Sequence, residues 1–484
     1  MQECMDAIAF EQNPASTTAA LRITAESLGG EEFKADYGVR YAYLTGAMYK
    51  GIASTKSVVA MAQAGLMGYF GAGGLRLEAL ESAIRTIQAQ LRDGQSYGMN
   101  MLCNLEQPEV EERTVDLYLK CGVSRIEAAA YMKITPSLVR YRLKGITPGA
   151  NGATHVPHKV LAKVSRPEVA TAFLQPAPPE IVSKIVARGG LTTAEADLAR
   201  LIPMADDICV EADSGGHTDA GVALALMPAM MRLRDDMMAR HGYAKTVRVG
   251  AAGGIGTPQT AAAAFVLGAD FILTGSINQC TVEAGISDAV KDLLQEMNVQ
   301  DTAYAPAGDM FELGARIQVL KRGLFFPARA NKLYELYQRH NSLDEIEPSV
   351  RKQIQEKFFR RSFEDVWTET EDYLRRTDPK KLAEIESNPK RKMAAIFKWY
   401  FIHSTRLAME GNADQKVDYQ VHCGPALGAF NQWVKGTATE NWRNRRVATL
   451  AEMIMRGAAA WLNQRIDSFV QSELRRQTLP LASR

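Results

Sequence analysis

A histidine that follows a glycine-rich segment is the first candidate for chemistry in this sequence. His217 ends the segment Glu211-Ala-Asp-Ser-Gly-Gly-His217, and the 484-residue chain has only seven histidines. Imidazole titrates near neutral pH, so it can protonate or orient a developing enolate. A lone histidine is more often a surface or hydrogen-bonded structural residue. Its position at a glycine-rich strand end favours catalysis, and His217 is therefore the predicted catalytic residue.

Two glycine turns late in the chain could bind a phosphate. Ala252-Gly-Gly254 leads into a predicted helix over 257–268, and the next predicted strand ends at Gly275-Ser276. Backbone N–H groups of a glycine turn at a helix N-terminus bind anions. A Rossmann turn would have the spacing G-x-G-x-x-G, whereas residues 250–256 have G-x-x-G-G-x-G. The phosphate of FMN therefore fits better than a dinucleotide.

Other predicted strand ends carry polar residues with two possible roles. Lys163 could stabilise negative charge on a reduced flavin ring or be a solvated rim lysine. Asn100 could hydrogen-bond the polar edge of the flavin or cap a turn. His155 and His158 have no carboxylate at metal-ligand spacing, and no metal site is predicted.

Eight apolar runs alternate with helical patterns and would position these residues. The predicted strands are 40–44, 66–70, 98–102, 125–128, 159–164, 208–211, 247–251 and 271–274. Eight strand–helix units in about 250 residues are typical of a (β/α)₈ TIM barrel, whose active site lies at the carboxyl ends of its strands. The long insertion at 166–206, after the fifth strand, is expected to add helices over the barrel mouth.

A change in composition near Pro327 predicts a domain boundary. All five tryptophans lie beyond residue 330, together with most of the long charged helical patterns. The predicted domains are an N-terminal extension (1–35), an FMN-binding barrel (36–330) and a C-terminal helical domain (331–484).

Composition and net charge argue against several classes of binding partner and cellular location. The net charge of +2 gives no drive towards nucleic acid or an anionic membrane. Six cysteines without CxxC spacing are typical of reduced thiols in a cytoplasmic protein. No signal peptide is predicted, and glycines interrupt the apolar run 58–75, which argues against a membrane span.

Several motifs resemble those of the nitronate monooxygenase and flavin enoyl reductase superfamily, and more narrowly the PfaD family. The broader resemblance rests on the histidine segment, on Ala252-Gly-Gly-Ile255 and on Leu267-Gly-Ala-Asp-Phe-Ile-Leu-Thr-Gly-Ser276. The narrower one rests on residues 43–53 and 205–211, on Lys398-Trp-Tyr400 and on Asp418-Tyr-Gln-Val-His-Cys-Gly-Pro-Ala-Leu-Gly-Ala-Phe-Asn431. PfaD proteins are trans-acting enoyl reductases of polyunsaturated fatty acid and polyketide synthases.

The resemblance implies FMN as cofactor, NADPH as hydride donor and an enoyl group on an acyl carrier protein as substrate. His217 matches the active-site histidine of the family. The segment Ala220-Gly-Val222 departs from the Asn-Arg-Pro-like stretch that the resemblance implies there, a departure that concerns lid and substrate contacts more than the chemistry. The predicted cofactor-binding residues are Ala47, Met48, Gly71, Asn100, Lys163, Gly216, Ala252, Gly253, Gly254, Gly275 and Ser276.

Two other functions stay open at this point. One is oxidation of nitronates by the same flavin and histidine, without a carrier protein. The other is a flavin-bearing docking subunit whose tryptophans mark an interface with synthase modules. Basic pairs such as Arg360-Arg361, or the run 390–392, could contact an acidic carrier protein or be solvated helix faces. A homodimer is expected because most soluble oligomers are homodimers.

Overall fold

The computed structural model describes residues 22–105, 107–149 and 153–478. Most of the predicted N-terminal extension, residues 1–21, lies outside the described residues. The strands are β1 (Tyr43–Thr45), β2 (Met67–Phe70), β3 (Gly98–Leu102), β4 (Arg125–Ala129), β5 (Thr147–Pro148), β6 (Thr154–His155), β7 (Lys159–Val164), β8 (Asp207–Glu211), β9 (Gly216–His217), β10 (Arg248–Ala252), β11 (Ile272–Thr274), β12 (Thr302–Pro306) and β13 (Arg316–Leu320).

The helices alternate with the strands in the first part of the chain and follow one another in the last part. They are α1 (Glu31–Tyr37), α2 (Thr55–Gln63), α3 (Leu77–Gln90), α4 (Pro108–Lys120), α5 (Pro136–Leu143), α6 (Pro167–Leu174), α7 (Pro179–Ala187), α8 (Thr193–Leu198), α9 (Ala223–His241), α10 (Pro258–Val266), α11 (Ser276–Gln279), α12 (Asp288–Gln295), α13 (Phe326–Arg339), α14 (Pro348–Gln353), α15 (Phe363–Thr377), α16 (Pro379–Glu386), α17 (Pro389–Glu410), α18 (Pro425–Trp433) and α19 (Val447–Thr478). A π-helical turn, Ile354–Phe359, follows α14.

Eight parallel strands form a closed barrel in the order β1, β2, β3, β4, β7, β8, β10 and β11, and β11 pairs with β1. Most of their residues are buried because helices cover the outside and side chains fill the inside. Each predicted strand overlaps one barrel strand, so the (β/α)₈ barrel is confirmed.

The insertion after the fifth barrel strand forms α6, α7 and α8, but α8 does not lie over the mouth. Thr192 and Glu195 form a capping box at its start. The Glu195 carboxylate also accepts a hydrogen bond of 2.6 Å from the Gly145 N–H. Gly145 belongs to the segment that leads into β7, at the amino end of the barrel. The predicted position over the barrel mouth is therefore wrong for this helix.

The described chain divides into two compact units. The first contains the residues up to 213, residues 220–285 and the residues from 433 onward, and the second contains residues 214–219 and 286–432. The predicted limits of 36–330 and 331–484 do not coincide with this division, and they stay a prediction about domains.

The second unit has its own sheet and core. Strands β12, β13 and β9 form an antiparallel sheet, while buried aromatic residues of α13 and α17, among them Phe326, Phe397 and Trp399, form the core. Within the described residues, no helix is both long and apolar enough to cross a membrane.

Candidate active site

An ionic network lies at the carboxyl ends of the barrel strands β4, β7 and β8. The Lys163 ammonium lies 3.3 Å from a Glu127 carboxylate oxygen and 3.4 Å from one of Glu211. The Glu127 side chain is fully buried, and those of Lys163 and Glu211 are 17% and 22% exposed. Lys163 is thus a mostly buried cation between two carboxylates and not a solvated rim lysine.

Burial and charge have opposite effects on this network. Burial raises the pKa of Glu127, and the nearby Lys163 ammonium offsets only part of that effect. Burial by itself lowers the pKa of Lys163, but attraction to Glu211 and Glu127 outweighs it and raises that pKa above its ordinary value. The ammonium is therefore charged at neutral pH.

Glu127 also fixes the loop after β1. Its second carboxylate oxygen accepts a hydrogen bond of 2.8 Å from the Ala47 N–H. Its backbone carbonyl accepts one of 3.1 Å from the Asn100 amide. The structure therefore brings together three predicted cofactor-binding residues, Ala47, Asn100 and Lys163, around a glutamate that was not predicted.

Gly71 and Met48 lie in close backbone contact. A Cβ at Gly71 would lie 1.6 Å from the Met48 carbonyl oxygen. The Gly51 N–H also donates to the Gly71 carbonyl at 2.9 Å. Glycine at position 71 thus lets the loops after β1 and β2 touch.

The two glycine turns follow β10 and β11, as predicted. Gly253 and Gly254 have φ of 81° and 72°, in the left-handed region that favours glycine. A Cβ at Gly253 would lie 2.6 Å from the Ala212 carbonyl oxygen, whereas at Gly254 and Gly275 it would meet no atom within 4 Å. Open space thus adjoins the backbone at Gly254 and Gly275. Ala252 ends β10 and Ser276 begins α11.

His217 lies in the second unit, on the short strand β9, which pairs with β13. Its Nε2 is 2.9 Å from the Asp309 carboxylate, and the two side chains are 50% and 65% exposed. Partial desolvation by itself raises the pKa of Asp309. The hydrogen bond with His217 and the charge of His217 outweigh that effect and hold the pKa below its usual range. The pair has the geometry in which a carboxylate orients an imidazole and stabilises its protonated form.

A second histidine lies beside this strand. A Cβ at Gly216 would be 3.5 Å from His422 Nδ1. The Gln420 amide nitrogen lies 2.7 Å from His422 Nε2. Burial and the charge of His217 lower the pKa of His422 to about 3, so its ring is neutral at neutral pH.

The segment 418–431, which carries the narrower resemblance, packs against the histidine segment within the second unit. A Cβ at Gly215 would lie 2.6 Å from Cys423 Cα. His422 forms an isolated antiparallel bridge with Val319 of β13. The close backbone approach therefore explains glycine at position 215 without any chemistry.

Three ionisable residues of these sites were missed as functional candidates in the sequence. Glu127 interrupts the apolar run of β4, and a charged residue inside a buried strand is a detectable signal. Asp309 lies in the segment between β12 and β13, where nothing in the spacing connects it to His217. His422 appeared in the sequence analysis only as part of the segment 418–431, without a role of its own.

Comparisons with known proteins give a consistent result. Residues 340–419 match the family described as [Acyl-carrier-protein] S-malonyltransferase, inserted helical domain. The crystal structure of the enoyl reductase domain of MlnA, from the macrolactin biosynthesis cluster of Bacillus amyloliquefaciens, is 44% identical. It covers 92% of this chain and 99% of its own chain, with a TM-score of 0.88.

Two curated relatives are longer than this chain. Polyketide biosynthesis protein PksE of Bacillus subtilis (strain 168) is 58% identical over 449 residues, which are 93% of this chain and 58% of the relative. A polyunsaturated fatty acid synthase protein of Thraustochytrium sp. is 43% identical over 86% of this chain and 28% of the relative. The chain thus spans just over half of PksE and less than a third of the fatty acid synthase protein. With the MlnA enoyl reductase domain and the matching parts of these synthase proteins, the chain belongs to the PfaD family.

Proposed function

We propose that this chain is an FMN- and NADPH-dependent enoyl reductase. Its substrate would be an enoyl thioester on an acyl carrier protein of a polyketide or polyunsaturated fatty acid synthase. The observation that carries the proposal is the 44% identity to the MlnA enoyl reductase domain, over 99% of that domain. The synthase relatives support the class of pathway.

The residues at the carboxyl ends of β10 and β11 fit the phosphate of FMN. A Cβ added at Gly254 or Gly275 would meet no atom within 4 Å, and such open space beside a glycine turn would allow a phosphate to approach the backbone. Gly253, Gly254, Gly275 and Ser276 would hold the phosphate. The loop at Ala47 and Met48, fixed by Glu127, would lie against the ring.

The remaining chemistry is a proton transfer. When bound, FMN supplies hydride transfer from the nicotinamide to the β-carbon of the enoyl thioester. His217 then gives a proton to the α-carbon, so that hydride and proton together saturate the double bond. Asp309 would accept a hydrogen bond from His217 Nε2 and so orient the imidazole.

The two alternatives have less support. Nitronate oxidation needs neither a carrier protein nor a synthase, whereas the curated relatives are polyketide and fatty acid synthase proteins. The docking-subunit hypothesis took the tryptophans as an interface. Trp399 and Trp442 are only 6% and 4% exposed, so these two are core residues.

The test is an anaerobic titration of the purified full chain. We expect a yellow flavin spectrum that bleaches with NADPH and recovers when crotonyl-loaded carrier protein is added. Bleaching without recovery would contradict the reductase and favour nitronate-type chemistry. Absence of bound flavin would contradict both enzyme hypotheses. The variant His217→Ala should keep its flavin and lose turnover, and an unchanged rate would remove His217 from the mechanism.

A further inference from the structure

The second unit contains a cluster of arginines that the proposed chemistry does not use. Arg360, Arg361 and Arg406 line one cavity of about 350 Å³ together with Trp399 and His403. We call these five residues the arginine groove. All of them lie within 340–419, the segment that matches the inserted helical domain of the malonyltransferase family.

The backbone at the edge of the groove is strained. The π-helical turn Ile354–Phe359 ends at Arg360, whose φ of 52° and ψ of 29° are in the left-handed region. π-helical turns are rare and often lie at functional sites, and non-glycine residues seldom adopt this backbone conformation. Because such strain persists where a function uses it, Arg360 is the first residue to consider for binding.

Aromatic stacking fixes the other side of the groove. The Trp399 and His403 rings stack at 4.5 Å between centroids with an interplanar angle of 14°. The Arg361 guanidinium lies 5.4 Å from the centre of the Trp399 ring, and it also forms an ion pair with Glu369. Arg361 is thus held in place before any partner arrives, which lowers the entropy lost on binding.

The charges of the groove are not balanced. Arg406 shares Glu369 with Arg361, at the longer distance of 3.9 Å. In the described part of the chain, Arg360 forms no ion pair, and its guanidinium contacts the Asp414 carbonyl at 3.3 Å. Glu410 also lines the cavity, so three cations face two carboxylates.

An exposed apolar side chain accompanies the cations. Ile402 is 60% exposed and precedes Arg406 by four residues on α17, so the two occupy the same face of the helix. Arginine and partly exposed apolar side chains beside it are the composition of a protein-binding surface. The apolar side chain of Ile402 would not contribute to the binding of an isolated small anion.

We propose that the arginine groove is the docking surface for the acidic face of an acyl carrier protein. This inference rests on the proposed function, since it names where the partner that carries the substrate binds. Opposite charges would steer the two proteins together and fix the orientation of the complex. Arg360 and Arg406 would pair with carboxylates of the carrier protein, and Ile402 would contact its apolar side chains.

The test compares two substrates in the full-length holoenzyme. The double variant Arg360→Glu with Arg406→Glu keeps Arg361 itself, which is paired with Glu369. The matched control, Arg376→Glu with Lys380→Glu, makes the same change of charge at two exposed residues of the same segment. For each protein, kcat/KM is measured with crotonyl-loaded carrier protein and with crotonyl-pantetheine, and thermal unfolding verifies the fold.

We expect the ratio of the two kcat/KM values to fall about tenfold or more in the groove variant, through KM for the carrier protein. The ratio should stay within about twofold in the control. Equal ratios in all three proteins would overturn the docking surface and leave the reductase standing. If the wild-type protein reduces neither thioester, the proposed function fails, and calorimetric binding of the carrier protein to wild type and groove variant decides the docking surface by itself. Equal affinities would overturn it, and weaker, less salt-dependent binding by the variant would support it.

Discussion

Lys163 and His217 are the two ionisable residues that the sequence predicted for the cofactor-binding and catalytic site. Each lies within ion-pair distance of a carboxylate. Lys163 contacts Glu127 and Glu211, and His217 contacts Asp309. A cation between two carboxylates adds little net positive charge to its surroundings. Lys163 therefore contributes to the site mainly by holding Glu127, which in turn holds the loop at Ala47.

Removal of the ammonium should leave a buried carboxylate without compensation. We expect Lys163→Met to lower the free energy of unfolding by about 3 kcal/mol at pH 7, since breaking a buried ion pair costs about 3–5 kcal/mol. Urea denaturation measures this value. Lys120→Met, at a side chain that is 71% exposed, is the control and should change it by less than about 0.5 kcal/mol.

The same variant should show a defined pH dependence. Burial raises the pKa of Glu127 above the ordinary value of 4.5, and loss of Lys163 raises it further. A carboxyl whose pKa is raised in the folded state costs no stability below its unfolded pKa and destabilises the fold as the pH rises through the folded value. The deficit of Lys163→Met should therefore shrink between pH 7 and pH 4.5. A deficit that is constant with pH would contradict this account.

The Asp309–His217 pair can be tested through the pH dependence of turnover. If Asp309 keeps the imidazole protonated, Asp309→Asn should move the basic limb of the pH–rate profile to lower pH and reduce the rate at neutral pH by about tenfold. Asp344→Asn, at a side chain that is 93% exposed, should leave the profile in place. A loss of rate at every pH without a shift would show that Asp309 is only structural.

At the scale of elements, the barrel strands end in loops whose glycines serve two different purposes. Gly71 permits a backbone contact with Met48, whereas Gly275 adjoins open space. Packing explains the first glycine without a ligand. The second has no such packing explanation, in keeping with the proposed phosphate site.

These two glycines should respond differently to an added methyl group. Gly275→Ala should change the free energy of unfolding by less than about 0.5 kcal/mol and weaken flavin binding about tenfold, a loss of about 1.4 kcal/mol. Gly71→Ala should cost about 1–3 kcal/mol of unfolding free energy through overpacking. Denaturation of the flavin-free chains and fluorescence titration with FMN measure both quantities. Equal flavin affinity in Gly275→Ala and wild type would move the phosphate elsewhere.

At the scale of the whole molecule, the last helix belongs to the barrel unit and not to the unit that precedes it in sequence. Helix α19 packs against α10, where a Cβ at Gly457 would lie 2.6 Å from the Pro258 ring. The contact requires the absence of a side chain at position 457. The unit that contains the barrel therefore includes α19.

A large side chain at position 457 should consequently destabilise the barrel. We expect Gly457→Leu to lower the free energy of unfolding by about 1–3 kcal/mol because it separates α19 from α10. The exposed residue Gln464 of the same helix provides the control, since Gln464→Leu should have little effect. Equal thermal midpoints for the two variants would show that α19 does not stabilise the barrel.

The sequence by itself determined the barrel, its eight strands and the turns at their carboxyl ends. It could do so because buried parallel strands read as continuous apolar runs separated by helical patterns. These are local signals, and each is contained in a few consecutive residues. For the same reason the sequence predicted the glycine turns at 252–254 and 275–276 and the histidine segment at 211–217.

Only the tertiary structure decided which charges meet. Glu127 is 36 residues from Lys163, and Asp309 is 92 residues from His217; no periodicity connects residues so far apart. The placement of α8 and the packing of α19 against α10 were likewise invisible, because side-chain pairing across the chain depends on how the elements pack. Local sequence patterns therefore predicted the candidate site residues, whereas only the fold showed which carboxylates lie beside Lys163 and His217.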